Sequence, residues 1–196
     1  DHGLGPTPEH ATEMGLDAGR IDRREVIDHV NAVLEPFFGP GKHAVGMTHI
    51  EFYFALGVYD RLLASPEALS AVLEALEQYP GIHRVYRGEE LETGPFGDRV
   101  TQQVARSYYP ERSGDLVIIP KPYWYTWVRA ADHGTGYDYD ARVPLVIAGP
   151  GIIPGHYSTA AAPEDLAPTL AFLAGVTLAR PDGLVLTDAL SDRNRP

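Results

Sequence analysis

Two short turns, far apart in the sequence, carry residue types that bind metal ions. The first is Asp1-His2-Gly3, and the second contains His133 followed by glycine. Neighbouring side chains of a regular strand point to opposite faces, so Asp1 and His2 can share one ion only where the backbone turns, and Gly3 and Gly5 permit such a turn. Carboxylate and imidazole ligands without sulfur suit a catalytic zinc or a similar divalent ion. The spacing also leaves open an incidental Asp-His pair.

The second turn lies in the stretch ADHGTGYDYDARVPLVIAGPGIIPG, residues 131–155. His133 is followed by Tyr137, Tyr139 and Asp140, and then by the apolar run 143–148, which predicts a buried strand. A polar turn beside a buried strand is a common location of chemistry in α/β enzymes. A lone His-Gly pair is a weak motif, so an ordinary surface turn before a core strand is the alternative.

Composition narrows the classes of protein to which the chain can belong. With 196 residues and 44% hydrophobic content, it can form one sizeable core or part of a larger domain. A formal net charge of −11 argues against nucleic acid as a partner, because that interaction needs clustered Lys and Arg. The sequence has no cysteine, so any metal must be held by His, Asp or Glu. No apolar run approaches the roughly 20 residues of a membrane helix, so no membrane span is predicted.

Periodicity and turn residues predict an alternation of helices and strands. Gly, Pro and polar residues in 1–20 predict a loop, and an apolar stripe over 21–34 predicts an amphipathic helix that Pro36 ends. Ser65 followed by proline predicts the start of a helix that reaches Tyr79. The other predicted elements are one or two strands over 44–59, strands over 82–87 and 115–120, and helices over 98–108 and 162–175.

These elements predict two structural parts. Strands and helices between about 44 and 119 are typical of a small α+β lobe. We therefore predict a lobe of residues 44–114, inserted into an α/β domain formed by residues 1–43 and 115–196. The aromatic stretch KPYWYTW, residues 121–127, either covers the junction with the lobe or forms a surface on which a substrate stacks. The oligomeric state is not predicted by the sequence.

Taken together, the two turns and four further stretches resemble a known family. The sequence is similar to the C-terminal half of an alkaline phosphatase superfamily enzyme, of the type I phosphodiesterase/nucleotide pyrophosphatase-like group that includes the PafA-type alkaline phosphatases. The matching stretches are DHGLGPTPE (1–9), AGRID (18–22), YYPERSGDLVIIPKPYW (108–124), HGTGYDYDARVPLVIAGPGI (133–152), APEDLAPTLAFLAGV (162–176) and DGLVL (182–186).

The resemblance implies a fold, an activity and a metal centre. The fold would be an α/β sandwich with a central, mostly parallel sheet flanked by helices, here incomplete. Asp1 and His2 would hold one zinc ion, and His133 would be a ligand of a second, giving two zinc ions per complete active site. The substrate would be a small phosphate ester, attacked by a Thr or Ser nucleophile. The family also implies a periplasmic or secreted location.

The sequence differs from the family pattern at several positions, and these differences lead to further expectations. The nucleophile, an early Asp ligand and an Asp-x-x-x-His-type pair lie upstream of the DHG turn in the family, and this sequence lacks that upstream region. Asp132 stands where a small hydroxyl residue is usual. We therefore expect the chain to be a fragment with an exposed apolar sheet face. Alone, it should neither hold zinc tightly nor hydrolyse a phosphate ester.

Several alternatives stay open at the level of sequence. Phosphomonoesterase and phosphodiesterase activities are not separable, because the groups that contact the nonbridging oxygens would lie upstream. A catalytically inactive binding or scaffold remnant of the same fold is a second hypothesis. A sulfatase or phosphoglycerate mutase relative is a third, which the stretch HGTGYDYDARVPL fits less well. His10 and His156 are not expected to bind metal.

Overall fold

The computed structural model describes residues 2–94, 96–126 and 133–191. Within these ranges, residues 2–142 form one compact unit and residues 143–191 belong to a second. The larger unit contains both His-Gly turns. No helix in the described ranges is long and apolar enough to cross a membrane.

The unit of residues 2–142 alternates short helices with strands. Its helices and strands, in chain order, are α1 (Pro8–Glu13), β1 (Gly19–Arg20), α2 (Arg23–Phe38), β2 (Ala44–Thr48), β3 (Glu51–Phe54), α3 (Val58–Leu63), α4 (Pro66–Glu77), β4 (Ile82–Arg87), α5 (Gly88–Glu92), α6 (Arg99–Ser107), β5 (Leu116–Pro120), β6 (Trp124–Tyr125) and α7 (Asp138–Ala141). The strands predicted over 44–59, 82–87 and 115–120 are confirmed. So are the helices predicted from Ser65 and over 98–108.

A four-stranded antiparallel sheet, in the order β2-β3-β5-β4, forms the centre of this unit. Strand β5 is buried along its whole length because helices cover both of its faces. Leu116 and Ile118 pack into the cluster that includes the apolar stripes of α2 and α4. Val117 and Ile119 pack on the opposite side against side chains of α5 and α6. The alternation of side chains along a strand thus builds two cores around one strand.

Two local predictions in the first forty residues are wrong. Residues 1–20 are not all loop, because α1 begins where the Thr7 hydroxyl accepts a hydrogen bond from the His10 amide and proline follows at the first helical position. Pro36 does not end α2, which continues to Phe38. Proline lies there in the last turn, and the helix ends at Gly39, whose φ of 79° breaks the helical geometry.

A second, two-stranded sheet pairs β1 with β6 in parallel, Gly19 opposite Trp124. The Trp124 ring lies so close to the backbone of Gly19 and Gly81 that a Cβ atom at either position would overlap it. Its indole N–H donates to the Asp17 carboxylate at 3.1 Å. This sheet is the parallel part of the α/β fold within the described ranges. The predicted lobe boundaries, 44–114, stay a prediction; β5 of the four-stranded sheet lies beyond them.

The unit of residues 143–191 has little regular structure. It contains a 3₁₀ turn (Pro163–Asp165), helix α8 (Leu166–Leu173), a second 3₁₀ turn (Thr187–Ala189) and an isolated bridge between Ile152 and Leu190. The helix predicted over 162–175 is confirmed in this form. The strand predicted over 143–148 is wrong, because a strand needs a neighbour for its backbone hydrogen bonds and none pairs with this segment in the described residues. Val146 is 86% exposed.

Asp165 ties the start of α8 to the segment that follows it. One carboxylate oxygen accepts from the Leu184 amide at 2.7 Å, and the other accepts from the Ala162 amide at 2.8 Å. The Thr169 hydroxyl donates to the Asp165 carbonyl and accepts from the Leu186 amide. The amide of Leu184, and next that of Ala162, hold the pKa of Asp165 below its usual range.

We expect this network to weaken in acid. Because the folded-state pKa of Asp165 is lowered, its stabilising contribution is present above the ordinary Asp pKa of about 4 and is lost as pH falls through the lowered value. Amide exchange of Leu184, corrected for the intrinsic pH dependence, should therefore become less protected in that range. Asp165→Asn should remove this pH dependence, while Asp182→Asn, outside the network, should leave it intact. Equal profiles for wild type and Asp165→Asn would contradict the prediction.

Candidate metal centre

The second turn owes its shape to one buried carboxylate. Asp140, at the third position of α7, is 5% exposed. Its Oδ2 accepts hydrogen bonds from the Thr135 amide at 2.9 Å and from the Thr135 hydroxyl at 2.6 Å. Between His133 and Thr135, Gly134 has a φ of 110°, which only glycine adopts without strain. The turn therefore folds back onto the helix that follows it.

The first turn lies directly on the same helix. The Gly3 amide donates to the Asp140 carbonyl at 2.7 Å. A Cβ atom at Gly3 would overlap the Tyr139 carbonyl oxygen and would come within 3.2 Å of the Asp140 carbonyl oxygen. Only glycine fits this close approach of two backbones. Residues from opposite ends of the unit are thus held at one point.

The result is that His2 and His133 meet. Their ring centroids are 3.5 Å apart, and the ring planes are within 11° of parallel. His2 Nδ1 lies 2.8 Å from the Gly3 carbonyl oxygen, which can only accept, so Nδ1 carries the proton and donates. A histidine that donates one ring N–H to a carbonyl presents the lone pair of its other nitrogen, as metal ligands commonly do.

Parallel rings do not aim their lone pairs at one point. Each ring nitrogen coordinates a metal within the plane of its own ring, at about 2.0–2.1 Å for zinc. Because the planes of His2 and His133 lie face to face, a single ion cannot lie in both planes. In this geometry the two rings are therefore not placed to bind one shared ion.

The remaining predicted site residues are placed as follows. Asp1 and Asp132 lie outside the described residues. His10 is exposed on α1, with Nδ1 3.3 Å from the Glu13 carboxylate, and His156 belongs to the unit of residues 143–191. In the portion of the chain that the structure describes, no three His, Asp or Glu side chains are grouped to hold a metal ion. The two imidazoles do not by themselves complete a metal site.

A small pocket opens beside His133. Its walls come from the second turn and α7, from the end of β5, from β6 and from the β2–β3 hairpin turn. The residues that line it are His49, Ile50, Pro120, Trp124, Tyr125, Thr126, His133, Gly134, Thr135 and Asp140. His49 has a φ of 52°, an uncommon value for a residue with a side chain. No local sequence pattern marks His49 as a residue of this pocket or Asp140 as the acceptor for Thr135.

Aromatic side chains pack between α7 and the connection from β5 to β6. Tyr139 stacks on Tyr123 and on Tyr137, with ring centroids 5.0 and 5.7 Å away. The Tyr139 hydroxyl accepts from the Tyr123 amide, and the Tyr137 hydroxyl donates to the Pro120 carbonyl at 2.8 Å. Burial, and next the neighbouring Tyr139, raise the pKa of Tyr137 to about 12. Tyr123 thus has a packing role; Trp127 of the aromatic stretch lies outside the described residues.

Comparison with known proteins agrees with this picture at the level of the fold. The structure superimposes on the crystal structure of wild-type alkaline phosphatase PafA with a TM-score of 0.83 and 22% sequence identity, covering 97% of this chain and 37% of that one. The likeness shows that the chain has the α/β fold of part of that protein. No family model matches the sequence.

Several curated proteins are similar in sequence to this chain. Alkaline phosphatase PafA of Elizabethkingia meningoseptica is 26% identical over 74% of this chain and 27% of its own length. A protein of Myroides odoratus named calcium-transporting ATPase is 23% identical over 87% of this chain and 32% of its own length. A choline-sulfatase of Rhizobium meliloti is 55% identical over 42 residues, which are 21% of this chain and 8% of that protein.

The fold and the relatives named alkaline phosphatases support the predicted resemblance to the alkaline-phosphatase-like superfamily. The chain spans about a third or less of the length of the curated relatives described above. The relatives named alkaline phosphatases support the predicted class of phosphate-ester hydrolase at the level of the family.

Proposed function

We propose that these residues are the C-terminal part of a zinc-dependent phosphate-ester hydrolase with a two-metal centre. The observation that carries the proposal is the contact between His2 and His133, two imidazoles brought together from distant positions with their planes parallel. In this proposal Asp1 and His2 hold one zinc ion and His133 is a ligand of the other. A location in the periplasm or outside the cell belongs to the same proposal.

The chain's own residues would orient and support the centre. His2 is fixed in one tautomer by the Gly3 carbonyl, and His133 is held by a turn that is bonded to Asp140. These residues would hold zinc, which would act as a Lewis acid toward the phosphate oxygens and would lower the pKa of water. The Thr or Ser nucleophile would lie in sequence outside these 196 residues. The small pocket beside His133 would receive part of the bound ester.

A catalytically inactive remnant of the same fold is the second candidate. It is favoured by the lack of any complete group of metal ligands in the described residues. The two candidates differ in the complete protein, by which we mean the natural gene product that includes these residues. The hydrolase should contain zinc and turn over a phosphate ester, whereas the remnant should do neither.

We expect the 196-residue chain, expressed alone, neither to hold zinc tightly nor to hydrolyse p-nitrophenyl phosphate. Two of the expected ligands come from one turn and one from the other, and catalytic zinc sites usually have three protein ligands for each ion. Elemental analysis after dialysis and a phosphate-release assay measure both properties. Two zinc ions bound per isolated chain, or turnover by it, would contradict the prediction.

The type of ester can be decided in the complete protein. Rates on p-nitrophenyl phosphate and on bis-p-nitrophenyl phosphate should be compared at equal zinc content. A terminal phosphate carries an extra charge that cationic side chains must neutralise. We propose phosphomonoesters as the main substrates, and a faster rate on the diester would assign the enzyme to phosphodiester hydrolysis instead.

A further inference from the structure

The carboxylate of Asp140 stands at the junction of the two His-Gly turns, although the sequence pattern gave it no role. Its side chain binds the turn of His133 through Thr135, and its main-chain carbonyl binds the turn of His2 through Gly3. Through one residue, therefore, both turns are attached to α7. This arrangement determines where the two imidazoles meet.

The second carboxylate oxygen adds an independent observation. Asp140 Oδ1 is buried and has no hydrogen-bond partner among the residues that the structure describes. Burying an unsatisfied carboxylate oxygen costs free energy. An apolar residue would avoid that cost but would leave the Thr135 amide and hydroxyl without their acceptor, so the carboxylate is retained for the turn that it holds. Asp140 also lines the pocket that His133 lines.

We propose that Asp140 is the positioning residue of the candidate metal centre, acting as a hydrogen-bond acceptor that fixes His133 opposite His2. The expected effect of Asp140 on metal binding rests on the proposed function. Its effect on the position of the His133 turn does not require metal. Asp140 does not contact the substrate in this proposal. It acts through Thr135, whose two donors are directed to one carboxylate oxygen.

Three substitutions separate this role from a general effect on folding. Asp140→Ala removes the acceptor. Asp140→Asn keeps an oxygen that can accept from both donors of Thr135. Asp138→Ala is the matched control, because Asp138 lies on the same short helix but is exposed and pairs with Arg99 at 2.7 Å. Thr135→Val removes the hydroxyl that donates to Asp140. This variant replaces Asp140→Ala in the test if Asp140→Ala does not fold.

Amide exchange of the metal-free protein gives the first measurement. In Asp140→Ala, the Thr135 amide should exchange about tenfold faster or more, as expected when a hydrogen bond to a charged group is lost. The Gly3 amide, which donates to the main-chain carbonyl of residue 140, should remain protected. Asp140→Asn and Asp138→Ala should resemble wild type, and Thr135→Val should be intermediate at residue 135.

Zinc affinity of the complete protein gives the second measurement. Loss of a residue that orients a metal ligand typically lowers affinity by about 10–100-fold, so Asp140→Ala should show a loss of that size. Asp140→Asn should recover most of it. An unchanged exchange rate at Thr135 in Asp140→Ala, or equal impairment of the Asn and Ala variants, would overturn the inference. If wild type binds no zinc and hydrolyses no ester, the proposed function fails, while the exchange comparison still decides the role of Asp140.

Discussion

Replacing His133 with alanine in the complete protein should remove one zinc ion and most of the phosphatase activity. The expected loss of affinity exceeds the 10–100-fold that follows loss of a residue behind a metal ligand, because His133 would be a ligand itself. His2→Ala should have an effect of the same size on the other ion. Zinc content by elemental analysis, and turnover of p-nitrophenyl phosphate, measure the two effects.

The ring geometry makes this prediction more specific. Because the two imidazole planes are parallel, each histidine is expected to serve a different ion. The single variants should therefore each retain about half the zinc of wild type, and the double variant should retain the least. His10→Ala is the matched control, since His10 is an exposed histidine of the same unit, and it should change neither quantity. Full zinc content in both single variants would exclude these residues as ligands.

The second large effect is expected from Gly3→Ala. The added methyl group would overlap the Tyr139 carbonyl oxygen, which is main-chain and cannot move without shifting the helix. Overpacking of this kind typically costs about 1–3 kcal/mol of stability. The first turn would have to move away from α7 by roughly an ångström, and a displacement of about 1 Å in a catalytic site can lower the rate about 100-fold.

Thermal unfolding and turnover of the complete protein test this prediction together. Gly97→Ala is the control, because a methyl group at Gly97 meets no atom within 4 Å and its backbone conformation is accessible to alanine. The control should match wild type in both measurements. If Gly3→Ala also matches wild type, the close approach of the first turn to Tyr139 is not a requirement of the site.

The strands show which parts of the fold a sequence can predict. The runs DLVIIP at 115–120 and VPLVIA at 143–148 are both largely apolar, and both predict buried strands. Only the first is a strand, because β3 and β4 lie on either side of β5. A local run of apolar residues indicates that a segment tends to be buried. Whether a neighbouring strand exists is a non-local property, which explains both the correct and the wrong prediction.

Some residues of the candidate site can likewise be predicted from sequence, and the contacts between them cannot. His2 and His133 can be predicted as candidate ligands from sequence, because histidine beside glycine is a local pattern and the surrounding stretches resemble a family. The bonds from Thr135 to Asp140, and the contact of Gly3 with Tyr139, join residues that no short pattern connects. Prediction from sequence therefore identified the groups that could bind metal, while the residue that positions them became visible only in the folded chain.

The meeting of His2 with His133 also determines when the centre can form during folding. Closing a long loop costs conformational entropy, and contacts between distant residues form slowly. The parallel pairing of β1 with β6 brings residues 20 and 125 together and shortens the loop that separates the two histidines. We therefore expect the four-stranded sheet to fold first and the two turns to join last. During synthesis on the ribosome, the centre cannot exist until α7 has emerged.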